Sequence, residues 1–190
     1  QYAAAEDNYD GYVLPYFDSP ANRDAVSNHL YMELLDSATR YAWFFTPYLM
    51  LGDTLLDTMV RAAQRGVDVR IFLPGIPDKR VIYRITQSFY RPLLKVGVHI
   101  YIYKPGFLHA KACLIDDEIG TVGTVNLDYR SLFLHFECNS LFYKASLLKD
   151  LKKDFDETLK QCEEFTADDQ KELLINKLAD CVLRIIAPLC

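Results

Sequence analysis

Between residues 107 and 126 the chain sets an imidazole, an ammonium, a carboxylate, a hydroxyl and an amide at fixed offsets. They are His109, Lys111, Asp116, Thr124 and Asn126, with Gly123 immediately before the hydroxyl. The pattern H-x-K-x4-D-x6-G-[ST]-x-N recurs by chance in a chain of this length on the order of once in tens of thousands. These groups suit attack on a phosphate diester. A neutral imidazole near pH 7 is a competent nucleophile or general acid. The ammonium of Lys111 and the amide of Asn126 can neutralise non-bridging phosphoryl oxygens, and Thr124 can hydrogen-bond a neighbouring catalytic group. His109 and Lys111 are two residues apart, so on a strand they share a face. Asp116 lies an odd number of residues from Lys111 and faces the other way. It completes the catalytic signature, but as a structural or orienting carboxylate and not as a proton carrier.

A lone histidine on an apolar strand is ordinarily a satisfied core residue. His29, His99 and His135 have no lysine two residues on and fall in that class, whereas the combined spacing sets His109 apart.

The surrounding elements read as α/β. Short strands are expected at Tyr12 to Tyr16, Tyr41 to Thr46, Val67 to Leu73, Val98 to Tyr103, Ala110 to Ile115, Glu118 to Gly123 and Phe136 to Tyr143. Amphipathic helices are expected from Arg23 to Thr39, and from an Asp53 cap through Arg65 to a stop at Gly66. A further helix starts near Lys79 and is interrupted near Pro92, which suits the first position of a second short helix. Alternating elements predict a mixed, largely parallel sheet covered by helices on both faces. Pro74-Gly75-Ile76-Pro77 and Lys104-Pro105-Gly106 then lie at the C-terminal ends of strands, where open α/β sheets bind ligands. Asp117-Glu118 reads as a hairpin tip.

At 190 residues, 51% hydrophobic and 13% aromatic, the chain can bury one sizeable core. The expected division is a catalytic half-domain over 1–165 and a C-terminal amphipathic helix over 166–190. That helix carries Leu174, Leu178, Cys181, Val182, Ile185 and Leu189, and packs on the domain or lies at a membrane interface. No apolar run reaches the roughly 18 residues needed to span a bilayer. Five cysteines, odd in number and without paired C-x-x-C spacing, point to reduced thiols and no structural zinc. A net charge of -5 argues against a general nucleic-acid binder. Arg80, Arg84, Arg91 and Lys95 share a face if their helix runs on through Pro92, a stripe that suits either solvent or anionic headgroups.

The motif resembles that of the phospholipase D superfamily. Tyr9 to Tyr16, Thr46-Pro47-Tyr48-Leu49, Arg65 to Arg70, Pro74 to Lys79, Tyr103 to Phe107 and Thr121 to Ser131 extend the likeness to the C-terminal half of bacterial cardiolipin synthases. The resemblance implies condensation of two phosphatidylglycerol molecules to cardiolipin and glycerol through a phosphohistidine, with no cofactor or metal. It also implies Glu137 as the carboxylate that orients the imidazole. An unpaired Glu within the apolar run Phe133 to Phe142 is costly, which agrees with a satisfied polar role. Family members carry two such motifs and this chain carries one. It also begins with Gln1 and lacks the membrane helices usual in such enzymes, so it is expected to be a fragment. The partners then expected are phosphatidylglycerol, a membrane surface, and either a missing N-terminal half or a second copy of the chain. The implied location is the bacterial cytoplasmic membrane, with the domain facing a reducing compartment. In two-motif relatives the nucleophile usually comes from the first motif, which makes His109 the general acid and base. A homodimeric phosphodiesterase or nuclease, and an inert lipid-binding module, are the alternatives.

Overall fold

The computed structural model describes residues 10–21 and 24–166, together with 169 and 183. Among the described residues, ten strands and six helices follow in the order β1 (Tyr12–Asp18), α1 (Val26–Ser37), β2 (Tyr41–Phe45), β3 (Leu49–Met50), α2 (Asp53–Gln64), β4 (Asp68–Pro74), α3 (Arg80–Ser88), α4 (Tyr90–Leu94), β5 (His99–Tyr103), β6 (Ala112–Ile115), β7 (Ile119–Gly123), β8 (Leu127–Asp128), α5 (Tyr129–Phe133), β9 (Glu137–Tyr143), α6 (Leu147–Leu159) and β10 (Cys162–Phe165). Eight strands form one sheet in the order β1-β9-β7-β6-β2-β4-β5-β10, and β3 pairs with β8 in a two-stranded ribbon.

The α/β class and the mixed sheet are as expected, but the sheet is mostly antiparallel. Only β2–β4 and β4–β5 are parallel in it; β1–β9, β9–β7, β7–β6, β6–β2 and β5–β10 are antiparallel. The reason is connection length. Helical crossovers through α2 and through α3 with α4 return the chain in the same direction, whereas the tight turn from Asp116 to Glu118 can only reverse it. Asp116 and Asp117 hold left-handed backbone there, with φ 55° and 62°, which aspartate tolerates better than most residues. The expected hairpin tip is present.

Helices cover both faces unequally. Leu34 and Leu35 of α1, Leu55 and Met59 of α2, Ile85, Leu93 and Leu132 pack with Phe44, Ile71, Ile100 and Cys113 on one face. On the other, Leu148, Leu151 and Phe155 of α6 meet Trp43, Phe45, Phe72 and Leu114. Phe155 stacks on Phe45 at 3.8 Å between ring centres. Strand β2 is buried throughout because its odd residues face α6 and its even residues face the other five helices.

Several element ends differ from expectation. Gly52 is the N-cap of α2 and Asp53 its first residue, where its charge meets the helix N-terminus. The third helix breaks at Phe89, and Pro92 is the third residue of α4; its missing N–H is harmless there too, within the first turn. The cationic stripe therefore does not share one continuous helix. Asp18 ends β1 and accepts from the N–H groups of Val26 and Ser27, both at 2.8 Å, capping α1 from a neighbouring strand. The expected helix start at Arg23 and the segment 166–190, apart from 166, 169 and 183, lie outside the described residues.

His29, His99 and His135 are all exposed, not core. His99 pairs with Glu164 at 2.6 Å, and surface imidazoles with a carboxylate neighbour need no burial to be satisfied. Cys113, Cys138 and Cys162 are free thiols; burial pushes Cys113 and Cys162 each up to about 11.

Candidate active site

One end of the sheet gathers the motif. Because β6 runs antiparallel to β2, Ala112 pairs with Phe45, and the start of β6 lies beside the C-terminal ends of β2, β4 and β5. The end of β7 and the start of β9 join them through the Gly123–Asn139 pairing. His109 and Lys111 precede β6 in an extended segment, not within the strand. Gly123 fastens that segment by donating its N–H to the Lys111 carbonyl at 3.1 Å. No side chain fits at position 123: a Cβ there would stand 1.8 Å from Asn139 Oδ1 and 2.4 Å from the Cys138 carbonyl.

The His109 ring is exposed and stacks on Phe107 at 5.3 Å. Among the described residues it has no hydrogen-bond partner. Partial burial, and then the charge of Lys111, hold its pKa below the ordinary value, with Asp78 acting in the opposite sense. The neutral ring is thus the resting form. Lys111 Nζ donates to the His109 carbonyl at 2.6 Å. Its own pKa is lowered by burial, against the pull of Glu137 and Asp128.

Thr124 and Glu137 are joined. Thr124 Oγ1 donates to Glu137 Oε2 at 2.5 Å and accepts from the Cys138 N–H at 2.9 Å. The other Glu137 oxygen lies 3.5 Å from His135 Nδ1. The carboxylate that the resemblance assigns to orienting His109 is therefore held by Thr124 and His135. Asn126 Nδ2 donates to Ser131 Oγ at 2.9 Å, while its Oδ1 is buried without a partner.

Asp116 is at the opposite end of β6. It accepts from Thr39 N–H and Oγ1 at 2.7 Å each, from Arg40 N–H at 2.9 Å and from Tyr41 N–H at 2.7 Å. Burial raises its pKa, but these donors outweigh that and leave it lowered. The residue is a structural clasp between the hairpin and the start of β2.

Two supports escaped sequence reasoning. Asn139, buried in β9, accepts from Thr124 N–H at 2.8 Å and donates to the Tyr16 hydroxyl at 2.9 Å. An amide flanked by Cys138 and Ser140 inside a strand was the available signal. Tyr48 donates to Asp78 at 2.6 Å, and its ring lies 6.3 Å from that of Phe107, so it braces the loop before His109.

His109, Lys111, Thr124 and Asn126 open on a cleft of about 890 Å³. Phe45, Val122, Phe142, Leu147 and Leu151 form its apolar wall, and Asp150 and Asp154 of α6 line it too. Asp116 does not reach it. Among the described residues no group of three His, Cys, Asp or Glu side chains could hold a metal ion, and no helix is long and apolar enough to cross a membrane.

Residues 31–159 match the family model described as "Cardiolipin synthase, PLD-like domain". Cardiolipin synthase 2 of Bacillus cereus is 34% identical over 190 residues, which is 100% of this chain and 37% of that protein. The chain spans 34–39% of the length of such relatives. Among solved structures, phosphatidylserine synthase of Haemophilus influenzae superposes with a TM-score of 0.71 at 17% identity, over 94% of this chain and 48% of that one. The phospholipase D family member Nuc of Salmonella typhimurium gives 0.69 at 14%, over 82% of this chain and 99% of that one. Both likenesses are of fold.

Proposed function

The chain belongs to the cardiolipin synthase family of phospholipase D-like domains, and from that premise we propose that it supplies one half of a phosphatidyltransferase site. The observation that carries this is the placement of exposed His109 and half-buried Lys111 together on a cleft whose wall is apolar. A phosphodiester bearing acyl chains needs both a charged end and an apolar wall; a nucleic acid needs no such wall.

The reaction proposed joins two phosphatidylglycerol molecules. A histidine from a second motif, in the rest of the protein or in a second copy of this chain, attacks phosphorus. A P–N bond forms, the P–O bond to glycerol breaks, and His109 delivers a proton to the departing glycerol oxygen. The resting ring is neutral, but an arriving phosphodiester anion favours its protonated form. The hydroxyl of the second phosphatidylglycerol then attacks, the P–N bond breaks, and His109 takes the proton back. Lys111 meets a phosphoryl oxygen with the N–H donors that the His109 carbonyl leaves free. Asn126, which lines the same cleft, joins it through its amide. Glu137 and Thr124 hold the strand end beside them. Action at the bacterial cytoplasmic membrane, with the domain in a reducing compartment, completes the proposal.

The test is to incubate the full-length protein with phosphatidylglycerol vesicles and, separately, with single-stranded DNA. Formation of cardiolipin and glycerol in equal amounts is the expected result. Cleavage of DNA without lipid turnover would instead identify a phosphodiesterase paired through two copies.

A further inference from the structure

At the site end of the sheet, apart from Phe107 and Val122 beside the cleft, exposed apolar side chains form two groups. Phe17, Leu134 and Phe136 stand on the β1 side, flanked by Asp18, Asp24 and Glu137. Ile76 and Val81, 55% and 64% exposed, stand on the β4 side with Lys79 and Arg80 between them. Among the described residues neither cation has an ion-pair partner. The one carboxylate in this turn, Asp78, accepts from the Tyr48 hydroxyl and keeps its charge, so with Lys79 and Arg80 the turn is net positive by one. Of the two groups, the second therefore joins exposed apolar surface to net positive charge.

This turn is held firmly. Gly75 N–H donates to the Tyr103 carbonyl at 2.8 Å, and Asp78 anchors its far side through Tyr48, whose ring adjoins Phe107. Phe107 in turn stacks on His109. The patch is thus two aromatic rings away from the imidazole.

We infer that Ile76 and Val81, with Lys79 and Arg80, form an interfacial anchor that seats the site end of the domain on an anionic bilayer. The inference rests on the lipid reading above and names the surface through which that lipid is met. Apolar side chains entering the headgroup layer beside cations that attract anionic lipid are the combination that binds such surfaces reversibly. Seated this way, the sheet end faces the headgroups, and a phosphodiester reaches His109 past Phe107 without leaving the interface.

The test is co-sedimentation of the 190-residue chain with vesicles of pure phosphatidylglycerol and of pure phosphatidylcholine. The parent chain is expected to sediment with the first and much less with the second, and added salt should weaken it. K79E/R80E and I76S/V81S should each lower binding to phosphatidylglycerol by at least about tenfold, with thermal unfolding by circular dichroism confirming intact folds. Equal binding by the variants, or equal binding to the two lipids, overturns the anchor. So does conversion of a dimer to monomer by the variants with vesicle binding unchanged, since a second copy would then cover the patch. Turnover of soluble short-chain phosphatidylglycerol by the full-length protein separates the two claims. Its absence in the parent protein defeats the transferase reading alone, and vesicle binding unaffected by the variants defeats the anchor alone.

Discussion

The ammonium of Lys111 bonds the carbonyl of His109, two residues back, at 2.6 Å. The cation therefore pins the segment that carries the imidazole, and after burial its charge helps to hold that imidazole's pKa down. Two N–H donors of the ammonium remain for a phosphate oxygen, so positioning and electrostatics are joined in one side chain.

Lys111→Ala should lower kcat/KM for phosphatidylglycerol by about 100- to 1,000-fold, the range for losing one aimed donor at a developing charge. It should also raise the His109 pKa, because it removes the charge repulsion that adds to burial in lowering it. An NMR titration of the ring checks the second point, and an unmoved midpoint would mean the two groups are electrostatically independent.

The same depression has a sign for stability. The folded His109 pKa lies below the unfolded value of about 6.5, because burial and then Lys111 oppose protonation. As pH falls through that region the unfolded chain takes up the proton first. The contribution is thus complete above the unfolded pKa and is lost on acidification. Urea unfolding at pH 7.5 and 5.5 should show a smaller loss in His109→Gln than in the parent chain. Equal losses would show that the ring is not held neutral by the fold.

Asp116→Ala should cost stability and leave the chemistry intact. Four donors from Thr39, Arg40 and Tyr41 lose their acceptor, at roughly 2–4 kcal/mol in total where the site is half open to water. Denaturant midpoints should fall, while the activity of the folded fraction stays within about twofold. A large fall in that specific activity with unchanged stability would make Asp116 a participant in the reaction.

The motif itself was legible because its chemistry depends on spacing, and spacing is written in the chain. What its members touch was not. Glu137 reads as a partner for an imidazole, but whether Thr124 or His109 stands beside it depends on the antiparallel pairing of β7 with β9, which no local pattern encodes. Non-local pairing likewise made the mixed sheet, expected to be largely parallel, a mostly antiparallel one. Asp18 capping α1 across eight residues was equally hidden. By contrast, Leu148, Leu151 and Phe155 at helical spacing were open to view, and α6 could have been assigned from them. Their omission left the far face of the sheet, and hence the cleft wall, undescribed.

Gly123→Ala should disable the site through packing. The new methyl would overlap Asn139 Oδ1 and the Cys138 carbonyl, and relief requires parting β7 from β9, at about 1–3 kcal/mol or more. Hydrogen exchange should show lost protection at Thr124 and Asn139. Unchanged protection would mean the strands have room that the geometry does not show.

The most direct test is the rate of cardiolipin formation by the full-length protein carrying His109→Ala, measured on phosphatidylglycerol vesicles. The rate should fall by about 100- to 10,000-fold, the usual contribution of a positioned acid and base, with folding and vesicle binding retained. A rate within a fewfold of the parent enzyme would contradict the central claim that this imidazole acts on the phosphodiester.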